Sequence, residues 1–183
     1  MRIVFIGSPD FSLPSLSALL EAGFDVPAVV TGPDKPQGRG RQVGTSAVKE
    51  FSLSRQIPLL QPESLTDRAF VARLSDLRPD LFVVVAFRIL PKEVYTIPSR
   101  GAFNLHASLL PKYRGAAPIS WAIMNDEKET GVTTFFLEEK VDTGSVILQK
   151  QTSIGRDETA GELAERLARI GAEAVIETVR RIE

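Results

Sequence analysis

The 183-residue sequence predicts an α/β fold: a Rossmann-like, mostly parallel twisted sheet with helices on both faces. Three observations carry this. Short β-branched runs alternate with helical periods along the chain. Residues 1–31 read as strand, helix, strand, a unit whose strands pair in parallel through a right-handed crossover. The run LFVVVAF at 81–87 is apolar without alternation, so it needs cover on both faces, as a central strand does.

RIVFIG (2–7) is a β-branched and aromatic run closed by Gly7, Ser8 and Pro9, a buried strand and its turn. LPSLSALLEAG follows Ser12. There Pro14 suits a helix start, Leu13, Leu16, Leu19 and Leu20 share one face, and Gly23 closes the element. VPAVVT (26–31) is the next strand. Residues 32–44, GPDKPQGRGRQVG, are rich in Gly and Pro and set Lys35, Arg39 and Arg41 against Asp34; they predict a long mobile loop, of a length that in a compact domain is usually functional or disordered. Further on, 46–56 predicts a helix, IPLLQ (57–61) a strand, and TDRAFVARLSDL (66–77) an amphipathic helix capped by Thr66. After the central strand, PKEVY supports at most a short helical piece. GAFNLHA (101–107) is a strand, APISWAIMN (117–125) a helix, and 131–139 and 145–153 two later strands. From Thr159 the pattern is helical, with a stripe of Leu163, Leu167, Ile170 and Ala174. Glu162 to Arg166, Glu165 to Arg169 and Glu177 to Arg181 sit at the stabilising four-residue offset. This helical pattern reaches Glu183 without a terminating Gly or Pro, which predicts that residues 1–183 form one domain of a longer chain.

Lys and Arg number 22 against 23 Asp and Glu, so the net charge of −1 excludes a globally basic nucleic-acid binder and leaves that work to a local patch. Cysteine is absent, which removes disulfides, thiolate metal sites and cysteine nucleophiles, and the one histidine, His106, removes any site needing two. No metal is expected. No 18-residue apolar run or signal-peptide layout occurs, so a cytoplasmic protein without membrane contact is expected.

The first strand–turn–helix lacks G-x-G-x-x-G, having only Gly7, and no G-x-x-x-x-G-K-[ST] follows any strand. Asp-Thr-Gly-Ser at 142–145 also occurs around the catalytic carboxylate of aspartic proteases, which need two such carboxylates and an all-β fold. Ser108 could enter a triad, but no G-x-S-x-G surrounds it. The informative segment is FNLHASLLPKYRGAAPISWA (103–122). Asn104 and His106 lie two apart on a predicted strand and so project to one face, with a polar loop directly after them. A carboxamide and an imidazole at a strand end can supply an oxyanion donor and a proton-transfer group. The same pair also fits a core histidine satisfied by a backbone carbonyl beside a turn-forming Asn.

N-x-H followed by SLLPKYRG, with VDTG about 35 residues on, resembles the folate-dependent formyltransferase family over essentially the whole chain. The resemblance implies a catalytic set of Asn104, His106 and Asp142. It implies 10-formyltetrahydrofolate as co-substrate, held by a pocket of Leu90, Pro91, Ser108, Leu109, Leu110, Pro111 and Val141. HASLLPKYRGAAPI without gaps and PDKPQGRGRQ in the early loop resemble the branch that acts on initiator methionyl-tRNA. In that branch Lys35, Arg39 and Arg41 would meet the acceptor stem, and a β-barrel domain, expected to be absent from residues 1–183, would follow the catalytic one. A monomer is expected. Small-molecule amine formylation, hydrolysis of the donor and a binding module without turnover remain alternatives. Tyr113 stands where many relatives have Trp, and Phe87-Arg88 where Tyr-Gly is common. The chemistry implied is amine attack on a formyl carbon, with Asn104 donating to the oxyanion. His106 as imidazolium would stabilise it and pass a proton to the leaving nitrogen, while Asp142 would orient His106 and take the ammonium proton.

Overall fold

A computed structural model describes residues 1–37 and 42–183, with backbone alone for 35–37, 42 and 43. Seven strands form one sheet in the order β5-β2-β1-β6-β7-β8-β9. They are β1 (Arg2–Gly7), β2 (Asp25–Val30), β5 (Leu59–Leu60), β6 (Leu81–Val85), β7 (Ala102–His106), β8 (Glu129–Phe136) and β9 (Val146–Ser153). The first five pair in parallel. β8 then runs antiparallel to β7, with His106 opposite Thr133 and Phe103 opposite Phe136, and β9 runs antiparallel to β8. The fold is the predicted Rossmann-like one, with β6 in the middle of the sheet.

Period-two alternation divides the core. Ile3, Phe5, Leu81, Val83, Phe103 and Leu105 face one layer, built with α1 (Leu13–Glu21), α2 (Ala47–Ser54) and α6 (Ala160–Ile182). Val4, Ile6, Phe82, Val84 and Ala102 face the other, built with α3 (Arg68–Asp76) and the short α4 (Lys92–Tyr95). Leu163 and Leu167 of α6 are fully buried, each contributing about 1.5–3 kcal/mol by burial.

Local chemistry shifts several predicted boundaries. β6 stops at Val85 rather than Phe87, because Ala86 takes φ +49 and breaks the strand geometry. Asp67, not Thr66, caps α3: its two carboxylate oxygens accept from the backbone N–H groups of Ala69 and Phe70 at 3.4 and 3.3 Å. Within the predicted loop 32–44, β3 (Lys35–Gln37) and β4 (Gln42–Gly44) pair as an antiparallel hairpin. Thr159 caps α6 in a capping box that engages Glu162, so Arg166 reaches Glu158 at 2.7 Å instead. The Glu177–Arg181 pair forms as expected at 2.7 Å.

Candidate active site

β7 sends Asn104 and His106 to one side while Phe103 and Leu105 are buried on the other. A cavity of about 670 Å³ opens over Asn104 and His106. Its apolar walls include Phe11, Phe87, Ile89, Leu90, Tyr95 and Leu137. Asp142 reaches the same cavity on the loop between β8 and β9.

The ring of His106 is 7 % exposed and both its nitrogens are placed. Nε2 lies 2.7 Å from the carbonyl oxygen of Tyr113. A carbonyl can only accept, so Nε2 carries the hydrogen and donates. Nδ1 therefore faces Asp142, whose Oδ2 stands 3.6 Å away. That is longer than a hydrogen bond but within ion-pair range when the ring is protonated. Asp142 is itself held by its neighbours: the Gly115 N–H donates to Oδ2 at 2.8 Å, and Arg114 Nε donates to its carbonyl at 2.8 Å. Among the described residues the Asn104 side chain has no hydrogen-bond partner, which leaves its N–H groups to the cavity. A free carboxamide donor, an imidazole of fixed tautomer and a carboxylate thus meet in one hollow, a set suited to stabilising an oxyanion and moving a proton.

The backbone around the cavity is unusually turned. Ala86, Tyr113, Ala117 and Asp142 all have positive φ without being glycine, and Gly115 joins them at +84. Such positions persist only where surrounding contacts over-determine them. On the outer side of the 112–115 loop, Glu127 accepts from the Tyr113 hydroxyl at 2.7 Å and from Lys112 Nζ at 2.9 Å. The Tyr113 hydroxyl, then the Lys112 ammonium, hold the Glu127 carboxyl below its usual range, and Glu127 in turn raises both partners.

Of the residues the sequence assigned to a pocket, Leu90 and Val141 stand on the cavity wall. Pro91 does not, being spent as the N-cap of α4. Ser108, Leu109, Leu110 and Pro111 lie behind the wall. Ser108 is fully buried and donates to the Lys112 carbonyl at 2.6 Å, while Thr133 Oγ1 accepts from Leu110 N–H and donates to the Ser108 carbonyl. Leu109 and Pro111 face a separate outer depression with Lys112 and Glu127. These four residues shape the turn that delivers Tyr113 to His106. Phe87, noted in the sequence as a departure from Tyr, and Ile89 after it stand on the wall; Phe11 has no such signal in the sequence beyond its place after β1, at the carboxyl edge where parallel sheets bind ligands. Arg88, beside them, donates to the carbonyls of Pro62 and Glu63 at 2.8 and 3.0 Å.

The β3–β4 hairpin leaves the same edge of the sheet. Its base is tied by Gln61 Nε2, which donates to the Gly32 carbonyl and to Asp34 at 2.9 Å each, and by an ion pair of Asp34 with Lys49. Lys35 sits on β3, with its side chain outside the described residues, as Arg39 and Arg41 are altogether.

Gly144 closes the Asp142 loop. A Cβ there would stand 1.8 Å from the Phe136 carbonyl oxygen, part of the backbone that seals the hairpin. Gly144→Ala is therefore expected to lower stability by about 1–3 kcal/mol or more and to displace Asp142. Thermal unfolding and the position of Asp142 in a crystal structure of the variant check both parts.

Residues 1–179 match the formyl transferase family model. Among curated relatives, the chain is 50 % identical over 183 residues to the methionyl-tRNA formyltransferase of Flavobacterium johnsoniae, covering all of this chain and 58 % of that protein. It is 51 % identical over 183 residues to that of Pelotomaculum thermopropionicum, with the same coverage of 100 % and 58 %. The chain thus spans less than two thirds of the length of these relatives. In solved structures, the phosphoribosylglycinamide formyltransferase of Bacillus halodurans superposes with a TM-score of 0.82 at 23 % identity, over 100 % of this chain and 95 % of that one. A formyltetrahydrofolate deformylase of Pseudomonas syringae pv. tomato does so with 0.77 at 20 % identity, over 98 % and 60 %. At these identities the structures speak to fold alone.

Proposed function

The chain belongs to the formyl transferase family, and from that premise we propose that it transfers the formyl group of 10-formyltetrahydrofolate to the α-amine of methionine on initiator methionyl-tRNA. The observation that carries the reading is the meeting of Asn104, His106 and Asp142 on one apolar-walled cavity. Its size, about 670 Å³, lies in the range that takes a bicyclic ring system with a tail, and its walls match one. Phe87, Ile89, Leu90, Leu137 and Val141 would hold such a donor. When bound, the donor supplies the electrophilic formyl carbon.

Asn104 donates a carboxamide N–H to the carbonyl oxygen as it gains negative charge, a role open to it because its side chain is uncommitted. His106, protonated, adds a second donor from Nδ1 and delivers that proton as the carbon–nitrogen bond breaks. Its Nε2 stays on Tyr113 throughout, so the ring moves protons at one nitrogen only. Asp142 is the counter-ion to the ring and receives the proton released by the attacking amine.

The reading is tested by release of tetrahydrofolate from the donor with and without charged initiator tRNA, and by competition from a sugar-nucleotide amine. Transfer only with charged tRNA supports it; transfer to the small amine alone replaces it with small-molecule formylation. The β3–β4 hairpin is the proposed acceptor-stem contact, through Lys35, Arg39 and Arg41. Replacing all three by Ala is expected to weaken tRNA formylation at physiological salt and to flatten its log–log salt dependence by about 2–3, since each phosphate contact contributes about 0.9. A salt slope unchanged by the triple substitution assigns the contact elsewhere.

A further inference from the structure

We propose that Glu127 is a positioning residue: it fixes which nitrogen of His106 faces Asp142, acting through the two ends of Tyr113. The backbone end of Tyr113 accepts from His106 Nε2 at 2.7 Å, and its phenol end donates to Glu127 Oε1 at 2.7 Å. Asn125 Nδ2 donates to the same hydroxyl at 3.1 Å, and Lys112 Nζ closes on both Glu127 oxygens at 3.0 and 2.9 Å. None of these four side chains lines the cavity; they form a clamp on its outer side.

The clamp is needed because Tyr113 sits at φ +56, where a bulky L-residue is disfavoured by its own Cβ and the next carbonyl. Local sterics push it out of this conformation, so contacts beyond the backbone must hold it there. The buried Ser108–Lys112 bond fixes the near side of the turn, and the Glu127 bond fixes the Tyr113 side chain. Glu127 is anchored independently of the loop, its own N–H donating to the Ala122 carbonyl at the end of α5 (Pro118–Met124). Release of the phenol lets φ relax and turns the Tyr113 carbonyl off Nε2. Without that acceptor nothing holds the hydrogen on Nε2, and the Asp142 carboxylate draws it to Nδ1; only the Nε2–H tautomer presents a bare Nδ1 to Asp142 and the cavity. Gly115, two residues on, carries the N–H that holds Asp142 Oδ2, so the same relaxation loosens both members of the pair.

This inference rests on the proton-carrying role given to His106 above, and a measurement independent of turnover separates the two. The sequence contains one histidine, so ¹⁵N-histidine labelling reports a single ring. With the ring neutral, the wild type is expected to show Nε2 protonated and Nδ1 bare. Glu127→Ala and Tyr113→Phe are each expected to move the two shifts away from the Nε2–H tautomer, towards hydrogen on Nδ1, and to lower kcat about tenfold, with KM for the formyl donor within about twofold. Glu127→Gln still accepts from the Tyr113 hydroxyl and is expected to keep the wild-type ring signature. Glu129→Ala removes a carboxylate from the same outer depression and is expected to leave ring and rate unchanged. If Glu127→Ala does not fold, Tyr113→Phe, which deletes one oxygen, carries the test. A changed ring with unchanged formyl transfer upholds the clamp and overturns the role given to His106. An unchanged ring in the folded variants overturns the clamp, whatever the rates.

Discussion

His106→Ala is expected to cut formyl transfer by about 10²–10⁴-fold, the range for loss of a positioned acid–base group. The substitution removes the Nδ1 donor that faces Asp142 and the cavity. It also leaves the half-buried Tyr113 carbonyl without its donor, at about 1 kcal/mol of stability. The kinetic loss must therefore be read on protein shown to be folded, by initial rates at saturating tRNA alongside binding of the folate. Folate affinity is expected to survive, because the walls that would hold the ring system are separate side chains. A folded His106→Ala variant with wild-type turnover removes the imidazole from the mechanism.

Asp142→Asn is expected to cost on the order of 10²-fold. The amide oxygen can still accept from the Gly115 N–H, so the loop keeps its place while the charge and the proton acceptor are lost. The double variant His106→Ala, Asp142→Asn should be little slower than the worse single one, because two groups that act as a unit are not additive. Rates that multiply across the cycle place Asp142 in a role separate from the ring. Asp142→Ala, which also abandons Gly115, should lose stability in addition to rate.

The sequence carried the fold because its signals were periodic: apolar runs fixed the strands of the parallel half, and the stripe of Leu163 and Leu167 fixed α6. The N-x-H spacing placed Asn104 and His106 on one face, and the structure puts them there. What escaped was whatever depends on competition between near-equal local choices or on topology. Thr66 and Asp67 are both good caps, and the carboxylate wins because it reaches two N–H groups. Glu162 was paired with Arg166 on spacing, but the capping box takes it first. The β3–β4 hairpin has neither apolar alternation nor a two-residue turn to announce it. Phe11 and Phe87 meet at one cavity only because β1 and β6 are neighbours, a fact of strand order. Ser108, Leu109, Leu110 and Pro111 sit beside His106 in sequence yet behind it in space, since the chain turns under the site before rising again at Tyr113.

The alternation along β7 ties folding fidelity to turnover. A slip of one residue against β6 and β8 would drive Asn104 and His106 into the layer beneath α6 and turn Phe103 and Leu105 out into the cavity. Such a misthreaded sheet would bury two polar side chains in place of Phe103 and Leu105, and on the mechanism proposed above it would be catalytically silent. During refolding, recovery of the proposed formyl transfer is therefore expected to time the correct seating of this one strand, a moment that optical probes of helix content pass over.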